Sequence, residues 1–113
     1  MINKSLLNEN EEAAIKEFSN TLKIKYGNKI KSIRLYGSKV RGDSDKFSDI
    51  DLFILVDEKN AKIRQFILDT AYELNLKYDV ILSVIIYDEK GFNNPITQIT
   101  PFIKNVIKEG VLA

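Results

Sequence analysis

The chain has 113 residues, 44% of them hydrophobic, which fits one globular domain over 1–113 with a core of ordinary size. Lys and Arg number 17 against 16 Asp and Glu, so no global basic field points to nucleic acid as a partner. Cysteine and histidine are absent, which excludes disulfides, thiolate metal sites and imidazole catalysis. Acid–base work falls to a carboxylate, a lysine, a tyrosine or water.

No apolar run approaches the ~20 residues of a membrane span. Met1-Ile2-Asn3-Lys4 leads into no signal-like apolar region, so the expectation is a soluble, cytoplasmic protein. In chain order, Asn8 followed by Glu11 has the spacing of a capping box. Ile15, Phe18, Leu22 and Tyr26 then recur at helical spacing until Gly27, which predicts a helix over about 9–26. Residues 30–36 alternate with period two and place Ile33 and Leu35 on one face of a strand that ends at Gly37. Residues 39–48 are polar and read as a loop. A second strand runs from Asp49 to Val56, with Ile50, Leu52, Ile54 and Val56 on one face and Asp49, Asp51, Phe53 and Leu55 on the other. A helix over about 60–76 carries Ile63, Phe66, Ile67, Ala71 and Leu74. The run 78–87 is so apolar that it predicts a central strand covered on both faces. Asn94-Pro95 and Thr100-Pro101 read as helix starts, and Ile99, Phe102, Ile103, Val106 and Ile107 form a last stripe that Gly110 ends. The order is α-β-β-α-β-α in a single α+β domain, and the strands around 37–48 can pair antiparallel.

The most informative spacing is Gly37-Ser38, ten residues, then Asp49-Ile50-Asp51. A glycine turn with a hydroxyl can hold phosphates at a helix start. Two carboxylates on one strand face repel, raise each other's pKa, and suit a divalent cation such as Mg²⁺, whose shell water and substrate phosphates complete. Arg41 can fork onto phosphate, with Lys39 adding charge, and Gly37 and Gly42 let the backbone approach and turn away. Asp79, placed to open the apolar strand, is either a third carboxylate beside the pair or a cap for the turn after Lys77-Tyr78. Asp88 sits at the far end of that strand and is the weaker alternative.

Gly37, Ser38, Asp49 and Asp51 make the chain resemble the minimal nucleotidyltransferases, or MNT domains, of the DNA polymerase β superfamily. The resemblance implies a polymerase β palm-type fold, a small mixed sheet backed by helices. It implies transfer of AMP from ATP, with Asp49, Asp51 and Asp79 as catalytic acids holding two Mg²⁺ ions and Gly37, Ser38 and Arg41 binding nucleotide. The family's third carboxylate helps hold a second metal and takes the proton of the attacking hydroxyl. Lone MNT domains pair with small all-helical HEPN toxins and silence them by adenylylating a tyrosine, so the implied role is an antitoxin, in a homo- or hetero-oligomer. The segment Ile96–Leu112 offers either core packing or a docking surface. Non-enzymatic occlusion of a helical partner, or transfer to a small molecule or an RNA end, are the alternatives.

Overall fold

A computed structural model describes residues 7–42 and 49–113. Helix α1 spans Glu9–Tyr26 and starts as its sequence dictates. The Asn8 side chain accepts from the Glu11 N–H at 2.8 Å, and Glu11 accepts from the Asn8 N–H at 2.9 Å, a reciprocal capping box. Gly27, at φ 55, closes the helix and opens a short 3₁₀ turn. Strand β1 is Ile30–Tyr36, a short helix α2 is Ser38–Arg41, and strand β2 is Ile50–Val56. Helix α3, Ala61–Tyr78, leads to strand β3, Leu82–Asp88. Helices α4 (Glu89–Phe92), α5 (Pro95–Gln98) and α6 (Pro101–Glu109) follow, and strand β4, Val111–Leu112, closes the chain. The prolines stand in the first turns of α5 and α6 behind Asn94 and Thr100 caps, as the sequence predicts.

The four strands lie in the order β3-β2-β1-β4. β1 is antiparallel to β2 and β4, while β2 runs parallel to β3, so the sheet is mixed. Apolar side chains of α1 (Ile15, Phe18, Leu22) and α3 (Ile63, Ile67, Leu74) pack on one face against Ile33, Leu35, Ile50, Leu52, Ile54 and Val56. The alternation of β2 therefore turns its even-numbered residues to the helix layer. Its other face carries Phe53, buried with Ile103 and Val106 of α6 and flanked by Tyr36, Leu55, Tyr87, Phe92 and Phe102. Burial on both faces makes β2 the apolar central strand.

Three expectations change. The apolar run at 78–87 is not a central strand: α3 extends to Tyr78, β3 starts only at Leu82, and β3 forms the sheet edge. Apolarity alone signalled burial, yet Ile81 and Ile85 are exposed. Residues 39–41 are helical rather than loop, because the turn at Gly37 passes straight into α2; the remainder of that expected loop, 43–48, lies outside the described residues. The two-residue β4 was not foreseen, being too short to show periodicity. Of the last stripe, Ile103 and Val106 are core, whereas Ile99 and Ile107 face outward. Among the described residues no helix is long and apolar enough to cross a membrane.

Candidate active site

The antiparallel register of β1 and β2 places Tyr36 opposite Asp51. Chain reversal at the end of β1 thus brings the Gly37-Ser38 turn to the acidic end of β2. Gly37 adopts φ 83 as the N-cap of α2, and its carbonyl accepts from the N–H groups of Val40 and Arg41 at 3.0 and 3.1 Å. A Cβ at this residue would collide with Oδ2 of Asp51 and lie 3.2 Å from its Cγ. Glycine is therefore required twice over, for its backbone angle and for the close approach of the carboxylate. Gly42, also at φ 83, ends α2 in the left-handed region.

Asp51 is half-buried on the Phe53 face of β2, and Asp49 is exposed just before the strand, where the Ile50 N–H donates to the Ile81 carbonyl at 2.8 Å. Burial pushes the Asp51 carboxyl above its ordinary range, the Asp49 charge adds to the shift, and Arg41 opposes it. The two acids are thus electrostatically coupled and Arg41 lies within their field. Tyr36 rises to about 12, chiefly by burial and then by the Asp51 charge. A cation between Asp49 and Asp51 would relieve their repulsion. The pair fits one hard divalent ion, with waters and phosphates completing its shell.

The structure places the other candidates less uniformly. Arg41 Nη1 donates to Glu109 Oε1 at 3.0 Å, and the Gly37 N–H donates to the same oxygen at 3.2 Å. Lys39, expected to add charge toward phosphate, instead turns inward: its Nζ lies 2.6 Å from Glu11 Oε2, with side-chain exposures of 3% and 6%. Asp79 does not open β3. It is the C-cap of α3 at φ 55 and ψ 52, with its backbone N–H bonded to the Asn75 carbonyl. The residue of β3 opposite Asp51 is Ser83. Among the described residues no group of three His, Cys, Asp or Glu side chains is arranged to hold a metal. Asp88 stands opposite Val56 at the far end of the sheet and caps α4 through the Gly91 N–H at 2.8 Å.

The Asp79 placement has a measurable consequence. A left-handed residue other than glycine carries strain of about 1 kcal/mol, so Asp79→Gly should raise the melting temperature slightly. Transfer activity should stay within about threefold of wild type. A loss of roughly 10²-fold or more in Asp79→Gly and Asp79→Asn alike, the scale of a lost general base, would return Asp79 to the reacting centre.

The sequence did not reveal the partners of Lys39 and Arg41. Glu11 carried a capping signal that accounts for one of its oxygens only, and Glu109 carried none, since its approach depends on the unforeseen β4.

A glycine turn packed on one of two neighbouring carboxylates, at the end of an antiparallel strand pair, is an arrangement able to hold phosphate and a cation. The nucleotidyltransferase domain family matches residues 15–113, and the chain belongs to that family and is a nucleotidyltransferase. Two proteins of Methanocaldococcus jannaschii, both named "putative protein adenylyltransferase", are similar to it. One is 44% identical over 101 residues, covering 89% of this chain and 95% of its own length; the other is 39% identical over 98 residues, covering 86% and 92%. A solved structure described as a toxin-antitoxin with AMP-PNP shares the fold at a TM-score of 0.55 and 21% identity, covering 86% of this chain and 70% of the other. A nucleotidyltransferase structure from Sulfolobus solfataricus gives a TM-score of 0.55 at 20% identity, covering 88% and 76%.

Proposed function

We propose that this chain transfers AMP from Mg²⁺–ATP to a hydroxyl of a partner protein, a tyrosine of a small helical HEPN-type toxin, and thereby acts as an antitoxin. The observation that carries the nucleotide chemistry is the contact of the Gly37 turn with Asp51 beside Asp49. The names of the Methanocaldococcus relatives support a protein as acceptor, and the toxin-antitoxin neighbour supports the partner class. The HEPN identity and the tyrosine rest on the MNT resemblance.

In this reading Asp49 and Asp51 would hold one Mg²⁺, and a bound ion would supply positive charge against the triphosphate. The Gly37 backbone, the Ser38 hydroxyl and the Arg41 guanidinium orient the β- and γ-phosphates. The acceptor oxygen forms a bond to the α-phosphorus as the bond from that phosphorus to pyrophosphate breaks. With no histidine in the chain, the hydroxyl proton passes to a site carboxylate or to water.

Ser38→Ala and Arg41→Ala test the phosphate assignment. Each should weaken ATP binding roughly tenfold to a hundredfold, the scale of a lost charge-assisted hydrogen bond of about 1.5–3 kcal/mol, and weaken AMP binding much less. Equal losses for ATP and AMP in calorimetric titrations would place both residues away from the β- and γ-phosphates.

A further inference from the structure

We infer that Glu109 is an internal competitor for the phosphate site, an intrachain carboxylate that occupies the anion position of the Gly37 turn and sets the threshold for triphosphate binding. One oxygen, Oε1, accepts both from the Gly37 N–H at 3.2 Å and from Arg41 Nη1 at 3.0 Å. A backbone N–H and a guanidinium converging on one anionic oxygen is the geometry that a phosphate oxygen would use. The inference rests on the reading that these two groups face the triphosphate.

The fold delivers Glu109 to this place. It is the last residue of α6, and Gly110 turns the chain directly into β4. β4 pairs Val111 with Leu35 and Leu112 with Arg34, and the Ala113 N–H donates to the Ile33 carbonyl at 2.9 Å. Glu109 precedes Val111 by two residues and Gly37 follows Leu35 by two, so the antiparallel register sets them side by side. Any side chain at Gly110 would collide with the Val106 carbonyl oxygen, so the tight exit that sets this distance depends on glycine. A carboxylate at a helix C-terminus is disfavoured by the helix dipole. Local helix electrostatics therefore do not account for Glu109, whereas its two donors across the sheet do.

The competition is modest, because Arg41 and Glu109 keep side-chain exposures of 48% and 24% and solvent screens them. Binding to a site partly filled by its own chain lowers apparent affinity by the fraction of competent molecules. Glu109→Ala should tighten Mg²⁺–ATP binding by about threefold to tenfold. It should tighten inorganic tripolyphosphate binding to a similar degree and leave adenosine binding unchanged. Glu109→Gln keeps the side-chain length without the charge and should show a smaller gain in the same direction. Both variants are titrated calorimetrically beside wild type, Ser38→Ala and Arg41→Ala, with melting curves to confirm folding. Unchanged or weaker ATP binding in both Glu109 variants, while Ser38→Ala and Arg41→Ala still weaken it, overturns the competitor and leaves the phosphate site standing. If Ser38→Ala and Arg41→Ala leave ATP binding unchanged, the phosphate assignment and the competitor fall together. A tightening that extends equally to adenosine overturns the competitor too, since it would report a general change in the site.

Discussion

Asp49→Asn and Asp51→Asn each abolish Mg²⁺-dependent transfer, by on the order of 10²–10³-fold or more, the scale on which electrostatic stabilisation of developing charge acts. The fold survives, because neither side chain belongs to the apolar core. For Asp51 the sign of the stability change follows from its carboxyl, which burial and Asp49 raise above the ordinary range. A group whose folded pKa exceeds its unfolded value contributes stability that is complete below the unfolded pKa and is lost as pH rises through the folded one. At neutral pH the Asp51 charge therefore weighs against the metal-free fold, and Asp51→Asn melts no lower than wild type without metal. Added Mg²⁺ raises the melting temperature of wild type by mass action and has little effect on either variant. A full rate of transfer in both variants would remove the metal centre from the account.

The second large effect lies behind the phosphate turn. Lys39 of α2 and Glu11 of α1 form an ion pair at 2.6 Å with both side chains almost wholly buried. Such a pair contributes little net stability over an apolar substitute, yet removing the Glu11 charge takes its carboxylate from the buried Lys39 ammonium and costs roughly 3–5 kcal/mol. Glu11→Gln retains the acceptor of the capping box and nearly the same volume, so it isolates the loss of charge. It should lower the melting temperature by on the order of 10–20 °C, taking about 4 °C per kcal/mol for a domain of this size. Lys39→Met should behave similarly, and the double variant Lys39→Met/Glu11→Leu should recover part of the loss. A shift under about 3 °C for Glu11→Gln, less than 1 kcal/mol on that scale, would show that water reaches the pair and that α2 is not anchored to α1. In the proposed phosphate site the pair matters because α2 carries Ser38 and Arg41 beside Lys39.

Much of this architecture was legible where local chemistry and periodicity agree. Asn8 and Glu11 fixed the start of α1, and the even-numbered residues of β2 announced which face meets the helices. The Gly37–Ser38 to Asp49–Asp51 spacing announced that these residues meet, because antiparallel pairing of β1 and β2 sets Tyr36 opposite Asp51. Illegible features were those settled by tertiary placement. An apolar run does not say whether it is central or at an edge, and β3 lies at the edge with Ile85 exposed. Asp79 lost its strand position because α3 runs on to Tyr78 before a left-handed turn. Lys39 and Glu109 are ordinary surface-type residues in the sequence; their partners are 28 and 68 positions away, at Glu11 and Arg41.

Transfer of the nucleotide's α-phosphate to a protein hydroxyl at the Asp49–Asp51 centre can be followed by incubating the purified protein and a lysate of its native host with ATP labelled at either the α- or the γ-phosphate, in Mg²⁺ and in excess chelator. The α-label should enter a small protein in Mg²⁺ alone. The γ-label should not enter, and Asp49→Asn and Asp51→Asn should incorporate neither. Incorporation of γ-label, or α-label that persists in both variants, would rule out transfer at this centre.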